Sequence, residues 1–301
     1  MHVLITGGTG FIGRALCPLL RDCGYGLTVL TRDPACAAKA VPGVRLIERL
    51  DQAECIDAVV NLAGEPLAEG RWTDRRKEAF RQSRIGTTRN LLQWLDRQAP
   101  AARPRVLVSG SAIGYYGPRD DTPVSEDAPP GEDFAARLCR DWEAAAVEAE
   151  ALGVRVARVR IGVVLGDDGG ALAKMLPPFK LGAGGPMGSG EQWMSWVHRS
   201  DLARLVQWLL ETGTAQGAYN GTAPEPARNR EFAQALGKVL GKPAKLTTPA
   251  LALRLMFGEM SGLLLTGQRV LPAKAQAEGF VFQHPRLEET LRDVLQARNA
   301  A

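Results

Sequence analysis

Histidine is scarce in this 301-residue sequence, with three copies at His2, His198 and His284. They stand far apart along the chain and form no ligand motif, so no metal site is expected. Cysteine is sparse too: Cys17, Cys23, Cys36, Cys55 and Cys139 are odd in number and form no C-x-x-C pair. That argues against a disulfide framework or a structural zinc and fits a reducing cytosol. No one sign of charge dominates, since 37 Lys and Arg face 33 Asp and Glu for a net +4. The densest basic run is Arg75-Arg76-Lys77, which makes no nucleic-acid footprint. A secretory leader is not expected, because Met1 to Ile5 runs directly into a glycine turn. The most apolar late stretch, Pro249 to Pro272, is interrupted by Arg254, Glu259 and Arg269. It is too broken for a membrane span and reads as a buried amphipathic helix pair. The expectation is a cytoplasmic globular protein without membrane or nucleic-acid partners.

What is present is alternation. Short apolar runs at Val3–Ile5, Leu27–Leu30, Val44–Ile47, Ala58–Leu62, Val106–Ser109 and Val156–Ile161 are separated by helical patterns. The helices are expected at Phe11–Cys23, Trp72–Asp96 and Phe134–Leu152. Such alternation implies βαβ units and an α/β fold, a Rossmann-type doubly wound parallel sheet. Asn61 is the one polar residue in its strand and lies at the carboxyl end, where ligands bind in open α/β sheets. The reading places a dinucleotide-binding domain at 1–221, with an inserted glycine-rich loop at 181–190. A small, mostly helical cap follows at 222–301, with helices at Arg228–Leu240 and Leu287–Ala297.

Thr6-Gly7-Gly8-Thr9-Gly10-Phe11-Ile12-Gly13 leaves the first strand and opens the first helix. Glycines at this spacing allow a tight turn, close approach of backbone to a pyrophosphate, and close packing of helix on strand. The helix N-terminus offers free N–H groups to the phosphates. Gly7, Thr9, Gly10, Phe11, Ile12 and Gly13 are therefore candidate cofactor-binding residues. At the end of the second strand an NAD site carries an acidic residue for the ribose. Here the position is Thr31, followed by Arg32, whose guanidinium suits a 2′-phosphate. That favours NADP(H) over NAD(H), although a one-residue slip would make Asp33 the ribose ligand.

With that turn, Asn61-Leu62-Ala63-Gly64, Ser109-Gly-Ser-Ala-Ile-Gly-Tyr-Tyr-Gly117 and Trp196-Val-His-Arg-Ser-Asp-Leu-Ala203 resemble the extended short-chain dehydrogenase/reductase superfamily. More narrowly, the chain resembles the YfcH-like epimerase family. The matching stretches include Arg71-Trp72-Thr73, Ser83-Arg84-Ile85, Asp141-Trp142-Glu143, Arg160 to Gly166, Leu181 to Gly190 and Gly267 to Pro272. The resemblance implies NADP(H) contacts from the turn glycines, Thr31, Arg32, Leu62, Ala63, Gly64, Arg84 and Val164.

The superfamily's proton chemistry uses a serine or threonine, a tyrosine, and a lysine four residues after the tyrosine. Ser111 occupies the serine position. The helix expected to carry the other two reads Phe134-Ala-Ala-Arg-Leu-Cys-Arg-Asp-Trp-Glu143, without tyrosine or lysine. No tyrosine of this chain is followed by lysine at that spacing. Tyr115 or Tyr116 is the alternative phenol, Arg137 or Arg140 the alternative cation, and Tyr116 also reads as pocket wall. His198 reads either as a base or as an orienting residue. Trp193, Trp196, Met187 and Met194 suggest a mixed apolar pocket, or equally a packed lid. Two functions stay open: an NADP-dependent oxidoreductase or epimerase-like enzyme on a small substrate, and a non-catalytic NADP(H) sensor acting through a protein partner. Neither the substrate nor a homo-oligomeric state is legible.

Overall fold

The computed structural model describes residues 1–166 and 168–300, with the side chains of the last helix described through Gln296. Its strands are β1 His2–Thr6, β2 Gly26–Leu30, β3 Arg45–Ile47, β4 Ala58–Asn61, β5 Val106–Ala112, β6 Arg155–Ile161, β7 Val163–Leu165, β8 Trp193–Met194, β9 Trp196–His198, β10 Gly217–Gly221 and β11 Ala227–Arg228. Seven form one sheet in the order β10-β6-β5-β4-β1-β2-β3. All its pairings are parallel. Chain order runs outward in both directions from β1 and β4, so the switch point lies between these two strands. Ligands bind there in open sheets.

The helices are α1 Gly13–Asp22, α2 Pro34–Ala40, α3 Asp74–Arg81, α4 Thr87–Arg97, α5 Phe134–Val147, α6 Gly170–Lys180, α7 Arg199–Glu211, α8 Asn229–Leu240, α9 Ala250–Phe257, α10 Gly262–Leu265, α11 Ala273–Ala277 and α12 Leu287–Ala300. Alternation along each strand sends side chains to two helical layers. Val3 and Ile5 of β1 join Val60 and Val108 against Leu16 and Leu20 of α1 and Leu202, Leu205 and Leu209 of α7. Leu4, between them, joins Val59, Leu107 and Val156 against Leu91 and Leu95 of α4 and Ala146 of α5. A third core brings Leu172, Leu176 and Phe179 of α6 onto Phe232 and Leu236 of α8 and Leu291 and Val294 of α12.

Two expected elements are broken. The helix expected over Trp72–Asp96 is α3 and α4 joined by a π-helical turn, Gln82–Gly86. The buried pair expected in Pro249–Pro272 is instead α9, a 3-10 turn at Gly258–Ser261, and α10. Gly258, at φ +59°, ends α9 after eight residues. Elements this short cannot turn a whole apolar face inward, and Leu251, Leu255 and Met256 are 67%, 66% and 59% exposed. Among the described residues no helix is long and apolar enough to cross a membrane.

Candidate functional site

The three spaced glycines of the turn have different reasons to be glycine. Gly7 has φ +71°, and a Cβ there would lie 2.7 Å from the Leu62 backbone. At Gly13 a Cβ would lie 2.3 Å from the Gly8 carbonyl, so glycine lets α1 press against the turn. At Gly10 a Cβ would meet only the Gly7 carbonyl, at 3.1 Å, and the side facing solvent is open. Ile12 is the N-cap of α1, which has no side-chain cap and no acidic residue in its first turn. That leaves the positive end of the helix for an anion. Beneath it, the Thr6 hydroxyl donates to Asn61 Oδ1 at 2.6 Å and accepts from the Ala63 N–H at 3.3 Å, tying β1 to β4 across the switch point. Asn61 Nδ2 continues to Thr88 Oγ1 at 2.9 Å.

Phe11 leaves the turn and lies against the loop after β7. A Cβ on Gly166 or Gly170 would come within 2.7 Å of its ring, and Arg199 sits 4.8 Å from its centroid. Arg199 and Arg14 both bind Asp168, Arg14 at 3.0 Å. Burial works against the Asp168 charge, but the two guanidiniums outweigh it and hold the carboxyl below its ordinary pKa. Thr9 is half-buried in the turn, and Val164 lies in β7, paired with Val197 of β9.

At the end of β2 the structure separates Arg32 from Asp33. Asp33 caps α2, its carboxylate accepting from the Cys36 N–H at 3.0 Å. The Asp33 N–H bonds the Thr31 hydroxyl at 3.2 Å, and the Thr31 N–H bonds the Ile47 carbonyl at 2.9 Å. Arg32 is exposed and has no hydrogen bond or ion pair among the described residues. Asp-Pro at the start of a helix is a capping signal legible in the sequence, and the slip alternative overlooked it.

Leu62, Ala63 and Gly64 follow β4. A Cβ on Gly64 would lie 3.0 Å from the Arg84 guanidinium, which arrives from the π-helical turn. Arg84 donates to the Glu65 carbonyl at 2.8 Å and lies 5.4 Å from the Trp142 ring. Burial pushes its pKa below the ordinary value. The residue is thus packed under the Gly64 segment.

At the end of β5 lies a buried charged network. Ser111, 2% exposed, donates to Glu143 Oε1 at 2.7 Å. Arg160 of β6 meets the same carboxylate in a two-point grip, Nε at 2.8 Å and Nη2 at 3.0 Å, and Arg158 adds a contact at 3.3 Å. Arg160 Nη1 then reaches the Tyr116 hydroxyl at 2.9 Å, and that hydroxyl donates to Asn220 Oδ1 at 2.6 Å. Tyr116 is fully buried, and burial pushes its pKa up to about 12 despite Arg160. Burial disfavours the Arg160 charge as well, but the bonded Glu143 outweighs it and raises the pKa. Tyr115 differs: it is half-buried, its ring stacks 3.6 Å from the Arg160 guanidinium, and its hydroxyl has no partner among the described residues. Sequence reasoning missed Glu143 and Arg160 as a pair. The available signal was charge inside buried runs, an arginine within Val156–Ile161 and a glutamate following Trp142.

Arg137 and Arg140 lie on the exposed side of α5, bonded to the Glu132 carbonyl and to Asp141. The buried residues of α5 at four-residue spacing include Phe134 and Leu138, which pack with Phe80, Leu67 and Trp72. The expected pocket residues sit elsewhere. Trp193 stands between Arg228 and Arg269, at 4.7 and 5.1 Å, on the wall of an open cleft of about 730 Å³. Arg119, Asp121 and Gly267 also line it. Gln268 next door donates to the Ile113 carbonyl at 2.6 Å, joining this wall to the Ile113–Tyr116 turn. The glycine-rich loop packs against the C-terminal segment, where Met187 bridges to Thr248 and a Cβ on Gly185 would lie 2.4 Å from the Leu246 carbonyl.

His198 caps α7, accepting from the Ser200 N–H at 3.2 Å. The fold carries it to His284, distant in sequence, and the two rings stack at 3.9 Å. Burial first, then the neighbouring His284, pulls its pKa down to about 4. Asp201, buried in the first turn of α7, pairs with Arg204 at 2.9 Å and accepts the N–H groups of Gln283 and His284.

A profile of the NAD dependent epimerase/dehydratase family matches residues 3–220, and one of a domain of unknown function, DUF1731, matches residues 248–294. The "Epimerase family protein SDR39U1 homolog, chloroplastic" of Arabidopsis thaliana is 43% identical over 304 residues, 98% of this chain and 87% of that protein. The "Epimerase family protein SDR39U1" of Homo sapiens is 38% identical over 301 residues, 98% of this chain and all of that protein. The crystal structure of human epimerase family protein SDR39U1 (isoform 2) with NADPH matches with a TM-score of 0.89 at 37% identity, covering 98% of this chain and 99% of that one. On this likeness, which spans nearly the whole chain, the protein belongs to the NAD dependent epimerase/dehydratase family and carries a DUF1731 region on its C-terminal side.

Proposed function

We propose that this protein binds NADP(H) and is an oxidoreductase of the short-chain type, interconverting a small carbonyl compound and its alcohol at the carboxyl end of β5. The observation that carries the cofactor assignment is the contrast at the end of β2. Arg32 is exposed and without a hydrogen bond or ion pair among the described residues, while Asp33, the residue that would mark an NAD ribose site, is engaged in capping α2. The turn fits the cofactor: Gly10 leaves open the space a pyrophosphate needs, and the α1 N-terminus carries no competing acidic cap. The SDR39U1 relative crystallised with NADPH supports the same reading.

The nicotinamide, when bound, supplies or accepts a hydride. Gly7, Gly10 and the α1 N-terminus would hold the pyrophosphate, Arg32 would take the 2′-phosphate, and the backbone at Leu62 and Ala63 would line the cofactor groove. A carbonyl so reduced would need a proton at its oxygen. Tyr115 is our assignment for the proton donor. Its hydroxyl has no partner among the described residues and the residue is half-buried, so solvent can return the proton. Ser111 and Tyr116 hold the wall behind it, their hydroxyls already bonded to Glu143 and Asn220.

Fluorescence titration with NADPH and NADH tests the cofactor. Losing one charge-assisted contact costs roughly 1.5–3 kcal/mol, so Arg32→Ala should weaken NADPH binding by about ten- to hundredfold and leave NADH unchanged. Equal affinities in the native protein would refute the assignment. An NADPH-oxidation screen over aldehydes, ketones, quinones and sugar nucleotides tests the chemistry. Tyr115→Phe should lower turnover by about 10²–10⁴-fold. Turnover untouched by Tyr115→Phe would overturn the role of Tyr115, and binding without turnover on any substrate would favour the sensor.

A further inference from the structure

His198, His284 and Asp293 come from three separate places: the end of β9, the segment before α12, and α12 itself. One potential ligand atom of each lies within 4.8 Å of the other two. Among the described residues this is the one such grouping of histidine, cysteine and carboxylate. His198 Nε2 and Asp293 Oδ2 are 3.3 Å apart. That matches the edge of a tetrahedron whose metal–ligand bonds are about 2.0–2.1 Å, which is about 3.3–3.4 Å. The rings of His198 and His284 stack at 3.9 Å with a 28° tilt, so the half-buried His284 ring must turn out of the stack for its nitrogen to reach the same ion.

The surroundings hold these groups in place. His198 Nε2 faces Asp293, and Nδ1 lies 2.5 Å from the Ser200 hydroxyl, so with a metal on Nε2 the Nδ1–H donates to that hydroxyl in place of accepting the Ser200 N–H. A ligating imidazole is typically fixed by such a contact at its other nitrogen. The backbone at Gln283 and His284 is pinned by both oxygens of buried Asp201, at 3.0 and 2.8 Å. The Asp293 side chain is 55% exposed, so an ion can enter from solvent.

We propose that His198, His284 and Asp293 form a binding site for a divalent transition metal of the zinc type, with a fourth position open to water. Two imidazoles and one carboxylate suit Zn²⁺ and its neighbours Co²⁺ and Ni²⁺. The site contains none of the residues assigned to the cofactor or to the β5 end. Its ligands connect the start of α7, which packs on the main sheet, to α12, which packs on α6 and α8. The ion acts as a clip between the C-terminal region and the dinucleotide-binding sheet.

The full-length protein, stripped with a chelator and dialysed, is titrated with Co²⁺ followed by visible absorption and with Zn²⁺ followed by calorimetry. The expected result is one ion per chain, a cobalt spectrum of tetrahedral intensity displaced by Zn²⁺, and a higher melting temperature with metal. Asp293→Asn and His284→Ala each weaken binding at least tenfold, while His2→Ala leaves it unchanged. Circular dichroism and NADPH titration check that the variants are folded, and Asp293→Asn, at a surface position, keeps the test available if His284→Ala does not fold. No uptake by the native chain at micromolar metal, or equal uptake by native and Asp293→Asn proteins, would overturn the site.

Discussion

Thiols show how strongly position decides the chemistry of one residue type. Cys23, Cys36 and Cys55 are exposed, while Cys17 and Cys139 are buried. Burial pushes Cys17 up to about 11, with Arg21 pulling the other way, and pushes Cys139 up to about 12, with Glu143 adding to the effect. Three thiols should therefore react with Ellman's reagent in the native protein and two more only in denaturant. Five reacting at once would contradict the burial. The sign of the pH effect follows from the same shifts. Above about pH 9 the unfolded chain loses these two protons while the folded chain keeps them, so stability should fall as pH rises from about 9 towards 11–12. Urea melts across that range check it. At Glu143 the outcome is larger. Glu143→Gln leaves Arg160, only 4% exposed, without its countercharge, and breaking a buried pair from one side costs about 3–5 kcal/mol. A loss under 1 kcal/mol in urea unfolding would show that the network relaxes around the change.

At the scale of elements, the glycine turn makes the sharpest forecast. Gly10→Val should leave circular dichroism intact and abolish dinucleotide binding, because the new side chain occupies the open face and little else. Gly13→Val should damage the fold itself, since its Cβ falls on the Gly8 and Gly7 carbonyls. Equal cofactor affinity in Gly10→Val would make the turn purely structural. Six of the seven strands of the main sheet, the turn and the parallel order were legible because each is written in contiguous residues: continuous apolar runs, spaced glycines, helical gaps between; β10, Gly217–Gly221, has no such apolar run and was not. What was not legible depends on partners far along the chain. Tyr115 and Tyr116 are neighbours with the same side chain, yet Asn220 ties one hydroxyl and not the other. The meeting of His198 and His284 is set by the route of the C-terminal segment. The π-helical turn hides inside a pattern that is helical on either side. Asp33 is a different miss, since its capping role was written locally.

The whole molecule is held together partly by contacts between segments distant in sequence. Arg71 donates to the carbonyls of Leu255 and Met256, and Lys77 pairs with Glu259, so the segment leading into α3 holds the short helices near the C-terminus. Exposed pairs of this kind contribute about 0–1 kcal/mol each. The double variant Arg71→Ala/Lys77→Ala should therefore melt within about 2 kcal/mol of the native protein, while amide exchange across 250–265 speeds markedly. Unchanged exchange there would mean that packing alone holds the segment. Of the apolar residues of α9, which the sequence suggested were buried, Leu253 is, as is Met260 in the turn that follows, while Leu251, Leu255 and Met256 are exposed.

The Glu143–Arg160 grip also bears on how this chain can change over evolutionary time. Losing either partner alone strands a charge in the interior, and losing both at once requires two coincident mutations. The routes out of the present arrangement thus pass through poorly folding intermediates. Ser111, Tyr116 and Asn220, bonded into the same network, inherit that restraint. Descendants of this sequence are free to vary the rim of the cleft on an inner wall that drift cannot easily dismantle.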